Sequence, residues 1–387
     1  ESQLSALGAE PENGTEPGDI ADLRESLNAQ LDALRVPQVV SEEAFSRANG
    51  LISEIDRAIR ERQASQLLAR GPSPLNPAHW TIAFREVERA LASVFYEMRL
   101  SWKSWRTREA LKNSWPALLA AMIVGLALII KGSTWSERMG NYFRNFGGRG
   151  SGIWGFVVSL ARIALPFLGV ILISVGLSLS GVVTGRAESV VSSIPKWSLL
   201  YLGFRWLGER AFAPGSVQKW TFKKAYHRTE ARFLITILGV TLVLRDALGM
   251  FENSVQFSEA THAVIGFPLV MISAVVLLRL QRIGMNRTEP EDAETEQGSS
   301  KLVKGLRRGV TFLALIAPVL AVFGYFNAAE AIVYPAILTL ALFACSSILQ
   351  QFFGDVYGWL LGKEESAQES LFTVLVGFTL SVIAVPL

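Results

Sequence analysis

The residue types that most often catalyse reactions or bind metals are few in this sequence and lie far apart. Its three histidines, His79, His227 and His262, share no metal-ligand spacing, and the single cysteine, Cys345, lies inside an apolar run. One cysteine cannot form a disulfide within the chain, and zinc sites need three or four ligands. The sequence therefore predicts no internal disulfide and no metal site.

Known catalytic motifs are not found either. The sequence contains no GxxxxGK[ST] phosphate loop, no HExxH zinc motif and no GxSxG nucleophile motif. We therefore expect no enzyme activity and no cofactor. The formal net charge is only +3, and the basic residues cluster in short connectors between apolar runs, so the composition gives no argument for nucleic acid as a partner.

The basic side chains in those connectors could bind phosphate groups. Lys and Arg are concentrated in residues 205–228 and 301–308, each between two apolar runs. Basic clusters beside membrane spans are typical of contacts with anionic lipid headgroups. The predicted headgroup contacts are Arg205, Arg210, Lys219, Lys223, Lys224, Arg228, Lys301, Lys304, Arg307 and Arg308.

Two amphipathic stretches suggest a second kind of lipid contact. Residues 134–146 combine aromatic residues, including Trp135, Tyr142 and Phe143, with arginines, and residues 352–361 carry Phe353 and Trp359 beside an aspartate. Helices of this kind lie in the headgroup plane of a bilayer. We expect two interfacial helices here, and the alternative is that both stretches are only linkers.

The elements that position these residues divide at residue 113. Of the 387 residues, 18% are charged, against about a quarter in soluble proteins, and the apolar runs all follow that point. Residues 1–18 are predicted to be a flexible tail, and residues 19–113 a helical domain. Pro37 is expected to separate two helices of a hairpin, and a third helix is expected from Ala78. The apolar stripes of these helices either pack together or bind a partner.

The remainder, residues 114–387, predicts an all-α polytopic membrane protein. A helix needs about 20 mostly apolar residues to cross the hydrocarbon core. Eight segments meet this requirement approximately: 115–130, 163–183, 190–207, 233–250, 263–280, 309–326, 331–349 and 371–387. The last segment has no polar residue after it, which is typical of a chain that continues.

The charges of the connectors predict the orientation. The connectors after the first, third and fifth spans are rich in Lys and Arg, whereas those after the second, fourth and sixth carry few. Lys and Arg accumulate in cytoplasmic connectors. We therefore expect a bacterial inner-membrane protein whose N-terminal domain lies in the periplasm.

Four charged residues lie within a turn or two of the predicted span ends: Arg162, Lys196, Arg205 and Arg245. Long side chains at such positions commonly reach the headgroups, while a buried functional ion pair is the alternative. For Arg245, the neighbouring Asp246 suggests a local pair at the interface.

Three features together resemble the N-terminal half of large bacterial mechanosensitive channels of the small-conductance (MscS) family. They are the segment LLARGPSPLNPA at residues 67–78, the eight-span arrangement behind it and the segment SLFTVLVGF at residues 370–378. The subgroup in question carries a periplasmic domain of unknown function ahead of its membrane region. The resemblance covers essentially the whole chain and rests on packing and loop residues.

The resemblance implies a tension-sensing region in a ring of seven subunits, with membrane lipids as partners, that releases ions and small solutes on hypo-osmotic shock. Family members continue into three further spans with a glycine- and alanine-rich pore helix, and then into a cytoplasmic vestibule. None of those segments lies within this sequence, so no pore residue can be assigned. Two alternatives remain open: a non-conducting scaffold with a periplasmic docking domain, and a secondary transporter, for which the sequence shows no inverted repeat.

The predicted orientation can be tested by cysteine labelling. Cysteines introduced one at a time into residues 209–229 should react with a membrane-impermeant maleimide only after the cells are opened, because this connector is expected in the cytoplasm. Cysteines introduced at residues 40–60 serve as the control and should react in intact cells with a permeable outer membrane. Labelling of the 209–229 cysteines in intact cells would reject the orientation.

Overall fold

The structure, a computed structural model, describes residues 17–361 except residues 104, 147–150, 182, 184, 213–225, 256 and 286–296. The residues within these bounds form nine helices and no strand, so the predicted all-α class is confirmed for this part of the chain. The helices are α1 Gly18–Leu68, α2 Pro77–Lys103, α3 Trp105–Phe146, α4 Ser151–Leu179, α5 Arg186–Ala211, α6 Tyr226–Val255, α7 Glu259–Met285, α8 Gln297–Val322 and α9 Phe326–Leu361.

The first of two compact units, residues 1–67, contains almost all of α1. The predicted break at Pro37 is wrong, because α1 continues through this proline as one helix of 51 residues. A proline removes one backbone hydrogen bond and bends a helix, and residues 38–68 are rich in strong helix formers that continue it. The predicted hairpin is therefore not formed within α1, and its apolar residues, such as Phe45 and Ile52, remain exposed.

In the second unit, residues 68–387, α3 and α4 form an antiparallel hairpin. Their backbones meet at Gly125 and Gly169, where a methyl group on either residue would lie only 2.7 or 2.5 Å from the carbonyl oxygen of the other. Small residues at such a crossing let two helix backbones touch, which is a common way for membrane helices to associate. The pairing continues to Gly140, which lies against Val158.

Helices α6 to α9 surround the largest apolar core. Its buried members include Leu238 on α6, Val270 and Leu277 on α7, Ala317 on α8 and Val333 on α9. On α8 the buried residues recur at Val310, Ala314, Ala317 and Ala321, a spacing that places them on one side of a helix. Helix α5 packs against α4, α6 and α9 and so connects the α3–α4 hairpin to this bundle.

One end of the bundle is crossed by α2 and the segment before it. Glu86 of α2 accepts hydrogen bonds of 3.0 Å from the backbone and side chain of Ser258, and Glu97 accepts one of 3.0 Å from the Arg186 backbone. The backbone of Gly71 donates to the Gly324 carbonyl at 2.9 Å. These contacts gather the starts of α5 and α7 and the α8–α9 turn on one side of the bundle, which we call the α2 face.

Both glutamates act as caps for helices other than their own. The first backbone N–H groups of a helix have no partner within that helix, and a carboxylate also interacts favourably with the helix dipole. Burial alone would raise the pKa of the Glu86 carboxyl, but hydrogen bonds from Thr261 and Ser258 hold that pKa below its ordinary value. Glu86 is therefore ionised at neutral pH, as a cap for α7 requires.

The other helix ends meet on the side that we call the opposite face, defined by Glu137, Arg162, Glu209, Glu230 and Arg279. Arg162 of α4 pairs with Glu137 near the end of α3 and with Glu209 near the end of α5. Arg279 near the end of α7 pairs with Glu230 near the start of α6. Helices α3 to α7 thus alternate in direction between the two faces.

Helices α8 and α9 continue this alternation. The α8–α9 turn lies at the α2 face, because Ser73 donates to the carbonyl of Val322 at 2.9 Å. The far part of α9 reaches the opposite face, where Phe352 stacks on Phe156 near the start of α4 at 4.3 Å between ring centroids. The described part of the chain therefore holds seven helices, α3 to α9, that run between the two faces.

Five of these seven helices are long and apolar enough to cross a membrane. Their candidate spans are Ser114–Tyr142, Ile153–Leu179, Tyr226–Glu252, Glu259–Ile283 and Phe326–Val356, which overlap the predicted spans 115–130, 163–183, 233–250, 263–280 and 331–349. The predicted span 190–207 lies in α5, where Lys196 and Arg205 lower the hydropathy. The predicted span 309–326 is shorter than expected, since α8 ends at Val322, and the segment 371–387 lies outside the described residues.

Neither predicted interfacial stretch is a separate helix. Residues 134–146 form the last turns of α3, and residues 352–361 form the last turns of α9. The prediction assumed a break after Lys131, but the residues around it contain no proline, and Gly132 packs closely against Leu165 and Pro166 of α4. Packing against α4 therefore keeps α3 helical beyond the length that a bilayer requires.

The α8–α9 turn depends on Gly324. This residue has a φ of +92°, and the backbone of Tyr325 donates to the carbonyl of Leu320 at 2.9 Å, as in a Schellman motif. A methyl group added at Gly324 would lie 2.6 Å from the carbonyl oxygen of Gly71. Both the turn and the docking of the segment before α2 therefore require glycine at this position.

We expect Gly324→Ala to destabilise the protein by about 1–3 kcal/mol, because the substitution combines an unfavourable φ with a backbone clash. The measurement is thermal unfolding of the purified protein in detergent. Gly309→Ala is the matched control, since Gly309 lies in α8 with open space around it and alanine favours a helix. Equal melting temperatures of the two variants would contradict the proposed role of the turn.

Candidate functional site

Two adjoining cavities lie at the opposite face, between the α3–α4 hairpin and helices α5 and α6. The first, of about 400 Å³, is lined by residues that include Glu137, Trp154, Arg162, Glu209 and Arg210. The second, of about 610 Å³, is lined by Arg162, Tyr201, Arg205, Glu209, Thr229, Arg232, Phe233 and Thr236. Arg162 and Glu209 line both, so the two cavities form one site, which we call the arginine site.

Arg162 is the centre of this site. One nitrogen of its guanidinium lies 2.9 Å from a Glu137 oxygen, and another lies 3.8 Å from a Glu209 oxygen. Its side chain is 42% exposed, so these pairs are screened by solvent and each contributes only about 0–1 kcal/mol to stability. These two pairs therefore hold the arginine only weakly.

Helix α5 supplies further residues through its last turns. Arg205 and Glu209 are four residues apart on the same side of the helix and form an ion pair of 3.1 Å. Trp206 donates a hydrogen bond of 2.6 Å to the Ser159 hydroxyl of α4. Arg210 lies with its guanidinium carbon 5.8 Å from the centre of the Phe156 ring. The end of α5 is thus attached to α4 by polar and aromatic contacts, with the arginines left at the rim of the cavities.

Arg232, near the start of α6, has an incomplete set of partners. One of its terminal nitrogens donates to the Phe212 carbonyl at 2.6 Å, but its Nε is buried without a hydrogen-bond partner. A buried donor without an acceptor costs free energy, and most such groups in native proteins have a partner. An anionic oxygen in the adjoining cavity is the kind of acceptor that this donor lacks.

The composition of the arginine site favours phosphate groups. Four arginines line the two cavities against two glutamates, an excess of two positive charges. Guanidinium groups bind phosphate through paired hydrogen bonds, and the cavity volumes are in the ordinary range for small ligands. No cluster of potential metal ligands occurs among the described residues. The excess of positive charge suits this site to electrostatic binding of an anion.

The structure brings together two of the residues predicted to contact headgroups. Arg205 and Arg210 line the second and first cavity, respectively. Arg228 is half-buried one turn before Arg232 and does not line the cavities, and Arg308 is exposed on α8. The predicted contacts Lys219, Lys223 and Lys224, and the side chains of Lys301, Lys304 and Arg307, lie outside the described part of the structure.

The predicted interfacial aromatics are only partly described. Trp135 and Tyr142 on α3 are exposed, as is Phe353 on α9. The side chains of Phe143 and Trp359 lie outside what the structure describes. Lipid contact of these residues stays a prediction.

Sequence reasoning missed Arg232 and both glutamates of the arginine site. Arg232 directly precedes the predicted span 233–250 and was given no role. The spacing of Arg205 and Glu209 was a usable signal, because pairs four residues apart face each other on a helix. The approach of Arg162 to Glu137 and Glu209 had no signal in the sequence, since it depends on the packing of three helices.

A second charged cluster lies at the α2 face. Glu330, in the second turn of α9, is only 9% exposed, and one of its oxygens lies 3.8 Å from His262 and 3.9 Å from Arg245. Its other oxygen and the Tyr334 hydroxyl are buried without hydrogen-bond partners. His262 also faces Glu252 at 3.6 Å. This cluster joins α6, α7 and α9 near their ends.

The expected local pair of Arg245 and Asp246 is replaced by longer-range partners. Arg245 points to Glu330 and lies over the Tyr334 ring, with its guanidinium carbon 5.1 Å from the ring centre. Asp246 instead accepts hydrogen bonds of 2.6 Å from Lys196 and 3.0 Å from Trp197. Adjacent residues on a helix point in directions about 100° apart, which separates these two side chains.

Comparison with known proteins adds one finding. Residues 39–99 match a protein family described as a protein of unknown function, DUF3772. The match covers the second half of α1, the segment 67–78 and most of α2, and it ends before the first apolar span. No curated protein and no solved structure shows a significant match to the chain.

Loss of an arginine from this site should weaken binding of anionic phospholipid. We expect Arg162→Gln and Arg232→Gln each to reduce affinity for phosphatidylglycerol by about tenfold, because a hydrogen bond to a charged group contributes about 1.5–3 kcal/mol. Retained lipid is counted by native mass spectrometry as lipid is titrated.

The matched control for this titration is Arg308→Gln, which removes the same charge from an exposed position on α8. Affinity close to that of the unchanged protein is expected for it. An equal loss in all three variants would show that only net charge matters, and the arginine site would then have no specific role.

Proposed function

We propose that this chain is the tension-sensing and scaffold region of an MscS-like mechanosensitive ion channel. Joined to its pore module, it would release ions and small solutes on hypo-osmotic shock. The proposal includes a bacterial inner-membrane location, an N-terminus in the periplasm and a homo-oligomer of seven subunits. The resemblance of residues 67–78 and 370–378 to that family supports the identity, and the exposure of the α3–α4 hairpin supports the role.

The exposure of this hairpin is the observation that carries the proposal. In the most apolar windows of α3 and α4 only 11% of the residues are buried, against 39% in α6 and 44% in α7. An apolar helix surface that the chain leaves uncovered is open to lipid or to a neighbouring subunit. The hairpin would therefore offer most of its surface to the bilayer or to the next subunit, whereas α6 and α7 belong to the bundle.

The arginine site lies where the hairpin joins the bundle. Bilayer tension favours whichever state occupies more membrane area, and a ligand that binds the two states differently shifts their equilibrium. Lipid held between α4, α5 and α6 would stabilise one position of the hairpin relative to the bundle. Loss of that lipid under tension would release the hairpin, and this is the proposed coupling step.

The proposed topology has eight spans. Helices α3 to α9 would supply seven of them, because all seven run between the two faces, including the less apolar α5 and α8. The segment 371–387 would supply the eighth. Helix α5 contacts four other helices, α2, α4, α6 and α9, so it needs no fully apolar surface to lie within a membrane.

One observation favours a second candidate, a secondary transporter. Glu330 is a buried carboxyl in an apolar helix, and ionisable residues inside spans often mark proton or ion pathways. Transporter sites, however, usually lie near the middle of the membrane. Glu330 lies only four residues, or about 6 Å, from the start of α9. Its position near a helix end favours a structural role. A non-conducting scaffold would share the hairpin and the arginine site.

Patch recording of the full-length protein tests the proposal. We expect tension-activated currents in a bacterial strain without other mechanosensitive channels. Combined Arg162→Gln and Arg232→Gln substitutions should lower the tension at half-activation, because lipid in the arginine site would stabilise the closed state. At fixed tension the ratio of open to closed channels should rise about tenfold, which corresponds to about 1.4 kcal/mol.

Arg308→Gln serves as the matched control and should leave the midpoint unchanged. The absence of any tension-activated current up to membrane rupture would reject the channel and favour the scaffold. Solute uptake driven by a proton gradient, and lost in Glu330→Gln, would support the transporter instead. Each outcome identifies a different function.

A further inference from the structure

Helix α2 presents three different sides, and only one of them packs against the bundle. That side carries small residues, including Ala83 and Ala90, each only 2% exposed, and the capping residues Glu86 and Glu97. Small side chains let α2 lie close to the helix ends beneath it. The Glu86 and Glu97 contacts are eleven residues apart, about 16 Å along the axis, so α2 crosses from the start of α7 to the start of α5.

The second side of α2 is an exposed apolar stripe. Phe84, Leu91, Phe95 and Trp102 follow one another at intervals of seven, four and seven residues, which places them on one side of a helix. Their exposed fractions are 66%, 47%, 63% and 57%. Four large apolar residues in a row on the surface are unusual for a face in contact with water.

The third side, which we call the basic side, carries most of the charge of α2, together with three exposed apolar residues, Ile82, Tyr96 and Leu100. Arg85, Arg89, Arg99 and Lys103 are exposed, against one exposed acidic residue, Glu88. The other two acidic residues of α2, Glu86 and Glu97, point to the bundle and accept hydrogen bonds there. The same contacts that fix α2 on the bundle therefore leave its outward side with an excess of three positive charges.

The apolar stripe is followed along the chain by a second exposed apolar surface. It ends at Trp102, shortly before α3 begins, and α3 exposes Trp115, Leu119 and Ile123 along its apolar span. A helix with Phe, Leu and Trp on one side and Arg and Lys on the next is typical of segments that lie in a membrane interface.

We propose that α2 lies in the headgroup plane of the leaflet at the α2 face, with its apolar stripe in the acyl boundary and its basic side on phospholipid phosphates. The occupant of this surface is thus the bilayer itself. The charge excess complements phosphate, and the exposed apolar surface of α3 follows the stripe along the chain. The inference does not depend on a channel function, because any membrane protein with this bundle could anchor α2 in this way.

Depth-dependent quenching of a fluorescent label tests the inference. Single cysteines replace Phe95 on the stripe or Ala92 on the basic side, both exposed, in a Cys345→Ala background. The labelled full chain is reconstituted in vesicles of phosphatidylcholine and phosphatidylglycerol. The Phe95→Cys label should be quenched roughly twofold more by a shallow spin-labelled lipid than the Ala92→Cys label, since an interfacial helix buries one side about 5–10 Å deep.

Leu91→Cys provides a second stripe position if Phe95→Cys does not fold, and should behave in the same way. Aqueous iodide should quench the Ala92→Cys label more strongly than either stripe label. Equal iodide quenching at the stripe and at Ala92→Cys would overturn the proposal. Protection of the stripe labels from both quenchers, with cross-linking between stripe cysteines of two subunits, would also overturn it, because a second copy would then cover the stripe.

Discussion

Helices α5 and α7 begin at the α2 face, where backbone N–H groups at their starts take partners from elsewhere in the chain. Glu86 and Glu97 supply those partners for α7 and α5 from a helix that lies across the helix ends. Gly185, before α5, has a φ of +64° and no capping side chain of its own, so Glu97 completes the cap from α2. This requirement fixes where α2 lies, and the position of α2 then determines which of its sides meets the surroundings.

The joint between hairpin and bundle is built differently from either part. Within α3–α4 the backbones touch at Gly125 and Gly169, and within α6–α9 the core is apolar and buried. Between them lie two cavities and ion pairs that are about half exposed. Ion pairs of this kind contribute about 0–1 kcal/mol each. Removing a large side chain from a packed core costs several kcal/mol. Breaking these ion pairs is therefore less costly than movement inside either part, whereas complete separation of the hairpin would also expose the small buried cluster of Phe156, Leu207 and Ile348.

Five spans and the short α8–α9 turn were predictable from the lengths of the apolar runs, because each of them is encoded in one continuous stretch of sequence. The Pro37 break was not predicted correctly, because a single proline competes with a long run of helix formers on each side. The continuation of α3 through residues 134–146 depends on packing against α4. The contacts of Glu330 and of Arg162 join residues between 25 and 85 positions apart in the sequence, and periodicity carries no information on such pairs.

Lysine and arginine serve two purposes here that sequence reasoning treats as one. Arg205 and Arg210 lie in a connector that predicts the orientation and are also predicted headgroup contacts, and their side chains line cavities suited to phosphate. Helix α2 shows the converse, since it is basic although the connectors on its face carry few charges. Lys and Arg in a short connector determine the orientation in which the chain inserts into the membrane. In a helix bound to headgroups, the same two residue types increase the affinity for anionic lipid. Distinguishing the two uses requires knowing which side chains point to cavities or lipid, and packing alone determines that.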